Sequence, residues 1–332
     1  MKIQDKACLV SLNISQWTAR KYDDKATRTV STHYETAPDA GRYNKTLVAK
    51  KHLDDLTKIS GQVRTFHYSR TMPYMVKGQA ILATEVLPEY MAKFAELKGQ
   101  WDHAVEKFLG EYDALRDEAR VNLGKLYNDA DYPSLRRLRN KFDMSVDFAP
   151  IPEGDHLRIN VDAEDLRQMQ EEIEEKVNSA ARDAMADLWG RLYKVVDSLR
   201  ERMEPDGEDA KTFRDSIVGN VVELAKLLPR MNIAGDADLD VMAQKIEREL
   251  GQFDPVELRK DKDLRTEAHK KAGEILGEVK SLMSAPRTAV VESEPEPKAV
   301  IVPQAIKAPE AKTAPLNADS GIAAKLAEMG IL

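Results

Sequence analysis

Five large apolar residues spaced seven apart, Leu87, Phe94, Trp101, Phe108 and Leu115, constrain this chain more than any other feature. Met91, Val105, Tyr112 and Ala119 fill the second apolar position of the same heptads, with Lys98 as the one exception. A seven-residue repeat keeps one seam of a helix turned towards a partner and favours left-handed helix packing. Pro88 suits the first turn, where its missing N–H costs nothing. Gly124 weakens the pattern at the other end.

A second long helix is expected from about residue 163 to about 203. Asp162 is its N-cap, and Glu164 and Asp165 sit well against the helix dipole. Its stripe runs Leu166, Met169, Ile173, Val177, Ala180, Ala184, Leu188, Leu192, Val195 and Leu199. The four-residue steps from Ala180 to Leu192 resemble a stutter that would locally unwind a supercoil. Pro205-Asp206-Gly207 ends it. The expectation is two long antiparallel helices forming a coiled-coil-like spine, with Trp101, Phe108 and Trp189 in its core. The competing use of that seam is self-association into a homo-oligomer.

Around the spine the pattern predicts a small β part. Alternation through Leu9, Ser11 and Asn13 against Val10, Leu12 and Ile14 reads as an N-terminal strand. Ser15 then caps a helix carrying Trp17, and residues 35–42 form a loop. A helix from about Asn44 to about Tyr68 buries Leu53, Leu56, Ile59, Val63 and Phe66. Met72 to Val76 and Gln79 to Val86 are extended. After a short helix, Ser134 to Asn140, a mid-chain hairpin pairs Phe142–Phe148 with His156–Val161 across Pro150, Pro152 and Gly154. Three helices follow near 209–228, 236–250 and 262–284. The fold class is therefore mainly α with a small β part. The division is a long-helix core domain at 1–204, a C-terminal helical region at 205–285, a disordered Pro/Ala/Glu/Lys linker at 286–316 and an amphipathic tail at 317–332.

Composition limits the function. Charged residues make up 32% and aromatics 6%, as in long solvated helices, and the formal net charge of −7 disfavours indiscriminate nucleic-acid binding by the whole molecule. The single cysteine, Cys8, excludes an internal disulfide framework, reads as a small buried residue and fits a reducing cytoplasm. No membrane span or secretion signal is expected. His103 and Glu106 lie three apart on the first long helix. A carboxylate-bridged di-metal site needs Glu-x-x-His on two helices. The order here is reversed, and the second helix offers Glu171, Glu172, Glu174 and Glu175 but no histidine. No phosphate loop, nucleophile elbow or His-Glu-x-x-His is present. No cofactor, metal or enzymatic activity is expected.

Two binding features remain. Residues 1–70 hold thirteen Lys/Arg against seven Asp/Glu. Arg20, Lys21, Lys25, Arg28, Lys45, Lys50 and Lys51 interleave with Tyr34, Tyr43, Tyr68 and Tyr74, and Arg136, Arg137 and Arg139 form a second cluster. Basic grooves with stacking rings suit single-stranded nucleic acid. Solvated helix faces with tyrosines covering the core are the alternative, favoured because Asp23, Asp24, Asp54 and Asp55 dilute the field. The second feature is the tail. Ile322, Leu326 and Met329 fall at i, i+4 and i+7, with Ile331 and Leu332 beyond, Asp319 or Ser320 as cap and Gly330 as stop. A helix this short is marginal alone in water. An apolar face on a tether therefore points to a partner groove, or to the protein's own body.

Three stretches resemble an uncharacterised protein family of bacteriophages and bacterial mobile elements. They are Leu9-Val10-Ser11-Leu12-Asn13-Ile14-Ser15-Gln16-Trp17-Thr18-Ala19-Arg20, then Leu82-Ala83-Thr84-Glu85-Val86-Leu87-Pro88-Glu89-Tyr90 leading into Phe94, and Tyr132-Pro133 through Lys141-Phe142 to Ile151-Pro152. Together they span roughly residues 8–200. The resemblance implies a neighbourhood of genes for a MoxR-type AAA+ ATPase and a von Willebrand factor A-like protein, and carries over no catalytic residues. The expected function is a non-enzymatic adaptor in a bacterial host cytoplasm. It would bind a protein partner such as that ATPase assembly, with the tail as docking peptide. A nucleic-acid-binding factor in replication or recombination, and a self-assembling phage structural protein, are the alternatives.

Overall fold

The chain opens with a single helical turn, α1 (Ile3–Lys6), that delivers it into strand β1 (Ala7–Ser15). A computed structural model describes residues 2–159, 161–204 and 216–284. The expected linker and tail, including Ile322, Leu326, Met329, Ile331 and Leu332, and the Pro205-Asp206-Gly207 turn lie outside the described residues.

No helix follows Ser15. Trp17 is buried, 6.2 Å from the Phe108 ring and 6.0 Å from that of Tyr112. Ser15 instead donates from Oγ to the Lys141 carbonyl. Burying an indole that size outweighs the local capping signal. Ala19 then takes a left-handed φ of 51° and turns the chain into β2 (Arg20–Tyr22). Helix α2 (Asp24–His33) is capped by Asp23, and β3 (Asn44–Thr46) returns antiparallel to β2. The helix expected from Asn44 therefore starts later, as α3 (Asp54–Arg70), after a 3-10 turn at Lys50–Leu53.

Strands β4 (Met72–Pro73) and β5 (Ala80–Ala83) form a hairpin. They lead into the first long helix, α4 (Leu87–Leu123), with Pro88 in its first turn. The short helix α5 (Leu135–Arg139) precedes strand β6 (Asp143–Ala149). The second long helix, α6 (Ala163–Arg202), is capped by Asp162, whose carboxylate accepts from the Glu164 and Asp165 N–H groups. Helices α7 (Ser216–Met231), α8 (Ala237–Leu250), α9 (Pro255–Lys260) and α10 (Lys262–Ser284) complete the described chain. The fold is mainly α with a small antiparallel β part.

Two relationships differ from expectation. The sheet order is β4-β5-β1-β6, so β6 pairs with β1, from Leu9↔Ala149 to Ser15↔Asp143. The segment after it makes a 3-10 turn at Gly154–His156 and is no second arm. Pro150 and Pro152 remove donors there, while β1 offers a full-length partner. The two long helices also do not run along each other. The chief partner of α4 is α3, and that of α6 is α10. The heptad seam is real but faces a composite core: Phe94, Trp101, Phe108 and Leu115 are buried, whereas Met91 is exposed and Tyr90 and Leu97 take the inward side. Among the described residues no helix is long and apolar enough to cross a membrane.

Candidate nucleic-acid interface

The register of the two-stranded ribbon sorts the N-terminal basic residues into two sets. Paired residues in an antiparallel ribbon share a face, and successive residues alternate. Lys21 is opposite Lys45, Arg20 opposite Thr46, and Tyr22 opposite Asn44. Lys45 is buried and turns inward, while Lys21 opposite it stays exposed and reaches towards the Asp131 carboxylate. Arg20, Tyr22, Asn44 and Thr46 share the outward face and are all exposed.

The inward face is a charge lock. Lys45 Nζ lies 2.5 Å from Asp131 Oδ2 and 3.0 Å from Asp23 Oδ2, and donates to the Leu126 carbonyl at 2.9 Å. Lys21 reaches Asp131 at 4.0 Å. Burial pulls the Lys45 pKa down, and the Asp131 and Asp23 carboxylates more than reverse this, leaving it above the ordinary lysine value. Asp23 also caps α2, accepting from the Ala26 N–H at 2.9 Å. That N–H and the Lys45 ammonium hold its carboxyl below the usual range. Thr27 completes the tie: its hydroxyl accepts from the Tyr43 N–H and donates to the Asp23 carbonyl. Ribbon, α2 and the 129–132 turn are thus held as one piece, and Lys45 is structural.

Outside this lock the cations are freer. Among the described residues Arg20, Lys25, Arg42, Lys50, Arg136 and Arg137 make no ion pair, while Arg28 pairs with Asp24 and Lys51 with Glu118. Arg139 is engaged by Glu106 on α4 in a two-pronged pair, which holds that carboxyl below its usual range. The second basic cluster therefore contributes Arg136 and Arg137 rather than all three. The contact between Lys21 and Asp131 places the 129–132 turn, just ahead of α5, against the ribbon.

The tyrosines also sort. Tyr34 is 70% exposed, Tyr22 45% and Tyr43 39%, so these three do not cover the core. Tyr68 is exposed on α3, and Tyr74 is half-buried. Tyr22 is absent from the sequence-derived set, because only the ribbon register puts it beside Arg20 and Asn44.

A cleft of about 290 Å³ opens beside β3, lined by Tyr43, Asn44, Thr46, His52, Glu118 and Asn122 over an apolar floor. Glu118 is bonded by Lys51 Nζ at 3.2 Å and His52 Nε2 at 3.0 Å, and Lys51 first, then His52, hold its carboxyl below the ordinary value. Spacing alone does not reveal this cleft. Leu115, Glu118, Ala119 and Asn122 do form one stripe of α4, but its partner is a strand where a helix is expected.

Elsewhere, Glu153, Asp155 and His156 bring ligand atoms within 4.8 Å of one another on an exposed turn, with Lys2 3.9 Å from Glu153. Exposed trios of this kind are common without an ion, and none is assigned to it. Glu106 is bonded to Arg139, and among the described residues neither it nor His103 falls in a group of His, Cys, Asp or Glu that could hold a metal. Cys8 is half-buried rather than buried, and burial pushes its thiol up, which favours the protonated form.

Compared with known proteins, the chain matches no family model, and neither the curated proteins nor the solved structures hold a significant match to it.

Proposed function

We propose that the chain is a binding factor rather than an enzyme, and that the outward face of its ribbon holds nucleic acid. The observation that carries this reading is the exposure of Tyr22, Tyr34 and Tyr43 among Arg20, Lys25, Arg42 and Lys50, cations without an ion-pair partner among the described residues. Rings that serve the core are buried, as Tyr90 and Tyr112 are. Exposed rings stack bases, and free cations neutralise phosphates while releasing counterions. With a net charge of −7 the molecule as a whole does not favour a polyanion, so binding depends on where exposed cations stand without carboxylate partners. The test is fluorescence anisotropy with a labelled oligonucleotide at low salt, comparing the native chain with an Arg20→Glu, Lys50→Glu double variant. At least a tenfold loss is expected. Full affinity in the variant, or no binding by the native chain, overturns the reading.

A second reading rests on the sequence spacing of Ile322, Leu326 and Met329, which lie outside the described residues. It makes the chain an adaptor of phage or mobile-element origin in a bacterial cytoplasm, docking its tail on a protein partner such as a MoxR-type AAA+ ATPase assembly with its von Willebrand factor A-like companion. Tethering raises effective concentration without demanding high intrinsic affinity. Leu326→Asp should abolish retention of that ATPase in a pull-down. Unchanged retention removes the tail from consideration.

A further inference from the structure

Arg20 and Tyr22 stand directly across the ribbon from two residues that line the cleft, Thr46 and Asn44. We infer that this cleft takes one unpaired base of a single-stranded nucleic acid, while the ribbon cations hold the backbone on either side. This rests on the nucleic-acid reading above and names its substrate class.

The lining of the cleft is divided as a heterocycle is, into apolar and hydrogen-bonding parts. Its floor is apolar, made by Leu47, Val48, Leu115 and Ala119, all buried. Its rim is polar. The Asn44 and Asn122 amides each donate and accept, and both are exposed. A nucleobase has the same division, with apolar faces and a hydrogen-bonding edge. Sequence-reading proteins exploit this by splaying unstacked bases out of a strand. At about 290 Å³ the space falls just below the roughly 300–1,000 Å³ of drug-sized ligand pockets. In a duplex the base faces are stacked, and such a slot has nothing to hold.

Charge agrees with that occupant. Arg42 precedes the cleft-lining Tyr43, and Lys50 follows the cleft-lining Ala49. Glu118, the one carboxylate in the lining, is paired by Lys51 and hydrogen-bonded by His52, which offsets its repulsion of a phosphate. Tyr43 lines the cleft and is 39% exposed, so it is accessible to a neighbouring base.

The experiment uses the full chain with a labelled single-stranded oligonucleotide and the same sequence as a blunt duplex. The single strand should bind at least tenfold more tightly. Ala119→Phe, which fills the floor, should remove that preference and leave duplex binding unchanged. Ala119 is buried, so circular dichroism checks the fold of the variant, and the exposed Asn122→Ala provides a milder loss in the same direction. Independently of any variant, photocrosslinking of the native chain to a strand carrying 5-iodouracil should place adducts within residues 43–52 or 115–123. Equal binding of strand and duplex, or adducts confined to other surfaces, overturns the base slot while leaving cationic binding intact. Absence of binding to either form at low salt removes the underlying reading as well.

Discussion

Lys21 and Lys45 face each other across the two-stranded ribbon, and a single carboxylate, Asp131, answers both. Like charges directly opposite destabilise a strand pair. Here the repulsion is cancelled because Asp131 lies 2.5 Å from Lys45, with Asp23 supplying the second negative charge at 3.0 Å. Removing one partner of a buried pair leaves an uncompensated charge and costs roughly 3–5 kcal/mol. Lys45→Met should therefore lower the urea midpoint by the equivalent of about 3 kcal/mol. Lys21→Ala, at an exposed position, should change stability by less than about 1 kcal/mol. Equal effects of the two would show that the lock does not organise the ribbon.

Burial determines the chemistry of the pair formed by His67 and Tyr90. His67 Nδ1 lies 2.8 Å from the Tyr90 hydroxyl, and burial pushes the imidazole down to about 4 and the phenol up. The folded pKa of His67 is thus below its unfolded value of about 6.5. The unfolded chain binds this proton first, so stability is fully present above pH 6.5 and is lost as pH falls towards 4. The loss attributable to this group is on the order of 3 kcal/mol. Chemical denaturation of the native chain and of His67→Gln across that range should show a shallower slope in the variant. Parallel slopes would mean that His67 is not held neutral.

Asp236 does two jobs with one carboxylate. Oδ2 accepts from the Trp189 indole N–H at 2.9 Å, and Oδ1 caps α8 by accepting from the Asp238 and Leu239 N–H groups. Loss of an N-cap costs about 1 kcal/mol, and loss of a hydrogen bond to a charged acceptor a similar amount or more. Asp236→Ala should cost about 2 kcal/mol in a denaturant titration, and Asp236→Asn less, because an amide still caps. A loss confined to the capping value would remove the Trp189 contact from the account.

How much of this was legible in the sequence varies with the range of the interaction. Asp162 as the cap of α6 and Pro88 at the start of α4 were legible, because capping is local. The helices after residue 215 follow their own apolar periodicity. Misreading began where a distant partner decided the outcome. Trp17 is buried against Phe108 and Tyr112 from another element, so a segment with a helix-cap signal forms no helix. The strand at Asp143–Ala149 was legible, but its partner, β1, lies more than a hundred residues earlier, and nearby Val161 was the wrong choice. For the interface, residue type identified the cations. Their sorting into a buried lock and an exposed face depends on a register that composition does not contain.

That sorting makes a graded prediction for the basic residues. A cation that contacts phosphate releases a counterion, and its removal reduces the dependence of log affinity on log salt by about 0.7 for a single strand. Arg20 and Lys50 are exposed and make no ion pair among the described residues, so Arg20→Ala and Lys50→Ala should each lower the slope by about that amount. Arg139 is committed to Glu106, and Lys45 to Asp23 and Asp131, so neither has charge to spare for a phosphate. Arg139→Ala should leave the slope unchanged although the net charge changes equally. Arg136 and Arg137 share the short helix with Arg139 but lack its partner among the described residues. They decide how far the interface extends. If the Arg136→Ala, Arg137→Ala double variant lowers the slope by about 1.4, the nucleic acid runs from the ribbon onto α5. If the double variant matches Arg139→Ala, the contact ends at the ribbon and cleft, and the second basic cluster has no part in binding.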